Sequence, residues 1–173
     1  MLRPTETVSR LLPTPIGDVH VVANDVGVVA VQRVDAAKPP RLEAPRCLGA
    51  HPILDLAGAE LTEYFEGHRQ HFTVPLAPTG TPFQRDVWSA LGTIPFGESR
   101  SYAWLAKEIG RPRAVRAVGA ANGRNPLAII VPCHRVIGSA GALVGYAGGL
   151  EMKRWLLEHE SGVPRTAQQS LFG

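Results

Sequence analysis

The sequence predicts an α+β protein in two parts: a small antiparallel sheet with one helix over residues 1–80, then a mostly helical domain with a helix-turn-helix over 81–160. A polar tail, 161–173, follows. Three observations carry this reading. Valine-rich stretches broken by turn formers concentrate before residue 35, apolar residues at helical spacing dominate after residue 81, and a Pro/Gly/Thr-rich linker from Ala77 to Thr81 separates them. With 173 residues, 45% of them hydrophobic, the chain is long enough to bury a proper core.

Taken in order, residues 13–34 place Val19, Val21, Val26, Val28, Val29 and Val31 around the turn Asn24-Asp25-Val26-Gly27, which reads as a β-hairpin or meander. Residues 35–50 hold Pro39, Pro40 and Pro45 and read as a loop. Pro52 to Glu66 predicts a helix with Leu54, Leu61, Tyr64 and Phe65 on its apolar side, stopped by Gly67. Phe72 to Leu76 reads as a last short strand. Thr81-Pro82-Phe83-Gln84 is a helix start, with threonine at the cap, proline at the first helical position and glutamine three residues after the cap. Phe83, Val87, Trp88 and Leu91 form that helix's buried stripe, closed by Gly92.

Ser101 to Ile109 predicts a second helix ended by Gly110, and Arg113 to Asn122 a third. Two short helices on a tight glycine-containing turn outline a helix-turn-helix, with an αα-hairpin of no DNA role as the alternative. The third helix consists almost entirely of small residues, Ala114, Ala117 and Gly119 among them, and Arg116 is the long side chain near its centre. Too few polar groups are present to read major-groove base edges. Close approach with one cation fits a narrow groove or a backbone contact better. Gly123-Arg124-Asn125-Pro126 is a turn, and Leu150 to His159 a final amphipathic helix with Glu160 at its end.

Charge divides unevenly along the chain. Residues 1–81 carry 7 Lys/Arg and 9 Asp/Glu, whereas residues 82–160 carry 10 and 6, so the second half suits a polyanion. No apolar run approaches the 18 or so residues of a membrane span, and the N-terminus lacks the layout of a signal peptide, which predicts no membrane association and a cytoplasmic location. Cys47 and Cys133 could form one disulfide at most, and a reducing compartment argues against it.

The most informative stretch is Ile129-Ile130-Val131-Pro132-Cys133-His134-Arg135-Val136-Ile137. So apolar a run predicts a buried strand, with Pro132 marking its end or bend and Cys133 on the bend. Between Glu108 and Glu151 the chain carries Arg111, Arg113, Arg116, Arg124 and Arg135 and no acid. A thiol beside that much positive charge is expected to ionise, and thiolate is the reactive form.

These residues together resemble a known family. Pro132-Cys133-His134-Arg135-Val136, with Asn125-Pro126 upstream, Arg116-Ala117-Val118-Gly119 before that, and Tyr146-x-Gly-Gly followed by a helix ending Glu158-His159-Glu160, is similar to the methylated-DNA–protein-cysteine methyltransferases, the O6-alkylguanine-DNA alkyltransferases. The resemblance spans residues 81–160 strongly and the N-terminal half in outline. It implies a ribonuclease H-like N-terminal part, a winged-helix-like C-terminal part, and direct-reversal repair of double-stranded DNA. In that repair an alkyl group passes irreversibly from O6-alkylguanine, with O4-alkylthymine a further candidate substrate, to Cys133.

A thiol of ordinary pKa is only roughly 3% thiolate at pH 7, so a proton acceptor is needed. The resemblance implies that His134 takes the proton through a water, that Glu160 orients and charges the imidazole, and that Asn125 ties together the turns of the site. It also implies that the damaged nucleotide is flipped out of the duplex. Arg116 would then fill the vacated stack, and Tyr102 would contact base or phosphate. Tyr146 and the backbone of Val136 and Ala147 would line the guanine pocket, and Ala114, Ala117, Gly119, Arg124 and Arg135 would face DNA. The thioether product leaves a protein that acts once, as a monomer and without cofactor.

Metal binding is tested by Cys47, His51, His68 and His71. His51 and His68 flank a predicted helix of about 15 residues, roughly 22 Å long, so one ion cannot bridge them and no metal is expected. Gln168, Leu171 and Phe172, in Gln168-Gln169-Ser170-Leu171-Phe172, are similar to the short peptide by which bacterial repair proteins bind the replicase sliding clamp. Two rival functions use the same features: a regulator that binds DNA without chemistry, against which Cys133 argues, and a cysteine hydrolase, for which no oxyanion motif is evident.

Overall fold

The computed structural model describes residues 6–34 and 44–162. Its chain divides into two compact units, residues 1–81 with 126–130, and residues 82–125 with 131–173. The division after Thr81 falls where the linker ends. Five residues of the second half, 126–130, group with the first unit.

In the first unit β1 (Val8–Leu12), β2 (Val19–Ala23) and β3 (Val28–Arg33) form an antiparallel meander in the order β1-β2-β3. Valine recurs because its branched side chain packs well on a pleated, buried face, and Val19, Val21, Val22, Val28 and Val31 are all buried. The sequence reading placed the sheet in residues 13–34. β1 lies before that range.

The turn between β2 and β3 is built as its sequence demands, the Asn24 side chain accepting from the Val26 and Gly27 amides at 2.9 and 3.1 Å. Gly27 is required by close approach, since a Cβ there would lie 2.6 Å from the Pro75 carbonyl oxygen. The strand expected over 72–76 reduces to a single bridge, Val28 with Leu76, held by Val28 N–H to Pro75 O and Ala77 N–H to Val28 O, both 2.8 Å. A second bridge joins Val31 to Leu127.

Helix α1 (Pro52–Phe65) packs Leu54, Ala57, Leu61 and Tyr64 into this unit's core, each large apolar side chain contributing roughly 1.5–3 kcal/mol by leaving water. Its N-cap is His51, whose ring accepts from the Leu54 amide, and Gly67 ends it with φ +80°. The Cys47 thiol donates to Gly49 O at 3.3 Å.

The second unit opens with α2 (Pro82–Leu91), which buries Val87, Trp88 and Leu91 as expected and leaves Phe83 half-buried beneath Arg111. A two-stranded parallel sheet follows, β4 (Arg100–Ser101) with β5 (Val136–Ile137), pairing Arg100 with Val136 and Ser101 with Ile137. Helix α3 (Tyr102–Glu108) starts directly from β4 under a Ser101 cap, and Gly110, φ +69°, turns the chain towards α4 (Val115–Gly123). α4 starts two residues later than the sequence predicted, so Ala114 is its cap rather than an interior residue. Trp88 Nε1 donates to Ala121 O at 2.9 Å and locks α2 to α4. Helix α5 (Leu150–Ser161) closes the unit and stops at Gly162, φ +67°.

The strand expected over 129–137 is not one. The apolar run is buried, but Ile129 has φ +74°, residues 128–130 turn, and Cys133–Arg135 form one 3-10 turn before the two residues of β5. A short apolar run marks burial without separating strand from buried turn. A β-branched residue at positive φ carries strain of about 1–3 kcal/mol, which surrounding packing must hold. The clamp-like residues Gln168, Leu171 and Phe172, with most of the predicted tail, lie outside the described residues.

Candidate active site

All the groups described next belong to the second unit. The chain reaches Cys133 through a constrained turn: Pro132 sits at φ −82°, ψ 64°, the Cys133 amide donates to Val131 O at 2.8 Å, and the Arg135 amide to Pro132 O at 3.0 Å. Asn125 Nδ2 also donates to Val131 O, at 2.8 Å, so the asparagine after α4 ties its turn to the one bearing the thiol. Asn125 additionally bonds towards the Cys133 sulfur, favouring its charged form.

Cys133 is 5% exposed. Burial pushes its pKa up, opposed by the Asn125 bond and by the positive charge of Lys153. The arginine cluster therefore does not pre-ionise it as expected. Arg111, Arg113, Arg116 and Arg124 are exposed, and the buried charge acting on the sulfur is a lysine.

His134 is fully buried, and its Nε2 lies 2.7 Å from Glu160 Oε1. Burial pushes the Glu160 carboxyl up, but the bonds and charges of His134 and Arg135 outweigh this and hold it well below the ordinary carboxylate range. An ionised Glu160 can only accept, so His134 Nε2 carries the proton it donates. Burial meanwhile keeps His134 below its usual pKa, hence neutral, and Nδ1 is left as a bare acceptor with no partner among the described residues. The arrangement is a base held in one tautomer by an acid that is charged at neutral pH.

Arg135, placed among the DNA-facing residues by the sequence reading, is instead buried. Its Nε donates to Glu160 Oε2 at 2.7 Å, its Nη2 to Glu160 Oε1 at 3.0 Å and its Nη1 to Ile94 O at 2.6 Å. Such a fork is geometrically matched to a carboxylate. Arginine at this position supports the acid from behind. Gly97, φ +78°, lets the loop before β4 approach α5 closely, a Cβ there lying 3.0 Å from the Glu160 carbonyl oxygen.

The parallel pairing of β4 with β5 brings the start of α3 beside the thiol turn. Tyr102 Oη donates to Val144 O at 3.2 Å, and its pKa is raised by burial and by the Cys133 charge. Tyr146 is half-buried, with a hydroxyl that makes no regular hydrogen bond yet lies close enough to the Cys133 sulfur that each shifts the other's titration; burial first, then that neighbour, pushes the phenol well above its usual range. A Cβ at Gly148 would meet Met152 Sδ at 2.5 Å and the Tyr146 ring at 3.0 Å, so a larger residue there requires those side chains to shift. Ala147 is exposed.

Val136 is buried, and its backbone is engaged within the protein, its N–H donating to Cys133 O and its carbonyl accepting from Lys153 Nζ at 2.6 Å. Sequence reasoning missed Lys153, which is fully buried, because lysine is ordinarily a surface residue. The signal available was its place between Met152 and Leu156 on the apolar side of α5.

On α4, Arg116 and Ala117 are exposed, Gly119 lies against the Tyr102 ring, and Arg124 is the exposed cap. The outward arginine thus stands on a low-profile helix whose inner side adjoins the site residues. Among the described residues no group of three or more His, Cys, Asp or Glu is placed to hold a metal ion.

Comparison with known proteins follows the same division. Residues 8–78 match the family model for the 6-O-methylguanine DNA methyltransferase ribonuclease-like domain, and residues 82–162 the model for the DNA binding domain of the same methyltransferases. A methylated-DNA–protein-cysteine methyltransferase of Methanosarcina barkeri is 46% identical over 151 residues, covering 87% of this chain and 94% of its own. The constitutive enzyme of that name from Bacillus subtilis is 58% identical over 110 residues, 63% of this chain and 67% of its own. The crystal structure of Mycobacterium tuberculosis OGT in complex with DNA superposes with a TM-score of 0.83 at 43% identity, covering 92% of this chain and 97% of that one.

Proposed function

The chain belongs to the methylated-DNA–protein-cysteine methyltransferase family, and on that premise we propose how its second unit performs direct-reversal repair of alkylated DNA. The protein is a methyltransferase that binds DNA and takes an alkyl group from damaged guanine onto cysteine. The observation that carries the site-level reading is the bare, buried Nδ1 of His134 opposite an Nε2 fixed on Glu160 at 2.7 Å.

In the proposed sequence the Cys133 proton moves through a water to His134 Nδ1, and the charge on Glu160 steadies the imidazolium so formed. The sulfur attacks the alkyl carbon in line with the bond to O6. A carbon–sulfur bond forms, the carbon–O6 bond breaks, and its electron pair passes to the purine, which regains a proton at N1 supplied through His134 and solvent. The products are unmodified guanine and a thioether. Nothing in the site hydrolyses a thioether, so each chain acts once.

The alkyl carbon cannot be reached while the base is stacked, and extruding the nucleotide costs a few kcal/mol. Arg116 is proposed to occupy the vacated stack, Ala114, Ala117 and Gly119 to allow close approach to the minor groove, and Arg124 to meet phosphate. Tyr102 and Tyr146 are proposed to contact the extruded base, with Ala147 contributing its backbone.

The test uses a duplex with one isotopically methyl-labelled O6-methylguanine. Label should pass to protein up to one equivalent per chain and then stop; sustained turnover would overturn the reading. Cys133→Ala should bind the duplex and take no label. Arg116→Ala should transfer poorly from duplex yet react normally with the free alkylated base, and equal losses on both would refute its assigned role.

We further propose action as a monomer and residence in the cytoplasm, where a thiol nucleophile stays reduced. The peptide containing Gln168, Leu171 and Phe172 is proposed to bind a sliding clamp. Deleting residues 168–173 should abolish capture by immobilised clamp, and unchanged capture would end that idea.

A further inference from the structure

Lys153 is a buried cation with no anion assigned to it. Its Nζ donates to Val136 O at 2.6 Å and to Val144 O at 2.8 Å and lies 6.0 Å from the Tyr102 ring centroid, and among the described residues no carboxylate pairs with it. The nearby acid, Glu160, is engaged by His134 and Arg135. An unpaired buried ammonium is strongly unfavourable unless a negative charge arises beside it. The group that gains such a charge here is the Cys133 thiol, on the turn immediately before the Val136 carbonyl that Lys153 holds.

We propose that Lys153 is a positioning residue for the transfer step. Its ammonium is the counter-charge that favours the Cys133 thiolate, and its two carbonyl bonds hold β5 and the Val144 loop in fixed relation around the thiol. The proposal rests on the function proposed above and assigns the charge that the exposed arginines do not supply. The charged and titratable groups that face Lys153 are Cys133 and His134 on the 3-10 turn and Tyr102 on α3, whose ring centroid lies 6.0 Å from Nζ.

The two couplings differ in effect. Lys153 favours ionised Cys133 but disfavours protonated His134, so it stabilises the thiolate while weakening the imidazole as a base, and the bond and charge of Glu160 offset the second effect. Burial pulls Lys153 down to about 8, partly countered by the cysteine, so it remains largely protonated at neutral pH and sheds its charge not far above.

Lys153→Gln separates the two parts, because a carboxamide keeps two N–H donors and loses the charge. The rate of one-time alkylation by free O6-benzylguanine is followed from about pH 6.5 to about 9.5. In parallel, the ultraviolet absorbance of the thiolate is titrated in unreacted protein, with Cys133→Ser as blank. Lys153→Gln should be slowed about tenfold near neutrality and its thiolate midpoint raised by about one unit, the same factor read two ways. The two rate profiles should converge above about pH 8, where the wild-type lysine loses its proton. Lys153→Met should add a lower melting temperature.

Parallel profiles at every pH, or an unmoved thiolate midpoint with only the melting temperature reduced, would overturn the proposal and leave Lys153 a structural clasp. Should neither variant fold, the wild-type profile alone decides. A rate that climbs without a break through pH 8 into the thiol range contradicts the lysine's part. Failure of the wild-type protein to take methyl from damaged duplex would instead sink the function reading, and the thiolate titration would still decide the role of the charge.

Discussion

Each unit of this molecule buries a glutamate on a helix beside an arginine, and the two do different work. Glu60 on α1 accepts from the Thr73 and Val74 amides and the Thr73 hydroxyl, with Arg69 at 3.4 Å. Glu160 on α5 accepts from His134 and from the fork of Arg135. Glu60 is bound mostly to backbone donors, which cannot change protonation, so its charge can only hold residues 73–74 against the helix. Glu160 is bound to an imidazole whose second nitrogen is open. Burial of an acid is thus no mark of catalysis; the ability of its partner to accept a proton is.

The largest expected effect breaks the catalytic half of that pair. Glu160→Gln removes the charge that steadies protonated His134, and the one-time transfer rate should fall at least a hundredfold, within the range of acid–base contributions. It also strips Arg135 of its anion, which should lower stability by about 3–5 kcal/mol in chemical denaturation. A variant transferring at the wild-type rate would remove Glu160 from the mechanism.

Glu60→Gln sharpens the contrast. It should cost about 1–3 kcal/mol of stability by leaving an amide badly paired, while transfer per folded molecule is unchanged. A specific loss of transfer would mean the first unit acts on the chemistry.

Gly27→Ala should destabilise the first unit by roughly 1–3 kcal/mol, through the 2.6 Å clash with Pro75, and leave transfer by the folded fraction intact. A melting temperature equal to wild type would show that the turn yields.

Acid should weaken both units, the first through His20, held down by burial, and the second through His134 and Glu160, where the chemistry is affected as well. His134 is held below 6.5 in the fold, so the unfolded chain takes up that proton first and stability falls as pH drops below about 6.5. Glu160 is held below 4.5, so its contribution is intact above that value and fades as pH falls further. The transfer rate should decline over the His134 range as the acceptor fills. A decline centred above the ordinary imidazole value of 6.5 would contradict a base held down by burial.

Much of this was legible along the chain because local rules set it. Pro82 starts α2, Gly67 and Gly110 end their helices at positive φ, and Asn24 builds its own turn. The joining of Cys133, His134, Asn125 and Glu160 followed from family resemblance, and the fold brings these four residues into one unit. Side chains whose meaning lies in distant partners were not legible. Arg135 reads as one more basic residue until Glu160, 25 positions on, meets its guanidinium. Lys153 reads as surface for the same reason. The apolar run before Cys133 states burial and nothing about direction, so a strained turn at Ile129 was invisible in it.

The two units also carry one thiol each, partly exposed Cys47 and buried Cys133. After incubation with duplex containing O6-methylguanine, peptide mass spectrometry should find one methyl on the Cys133 peptide and none on the Cys47 peptide, despite the greater exposure of Cys47. Methyl on Cys47, or protein of unchanged mass beside repaired DNA, would contradict the account at its centre.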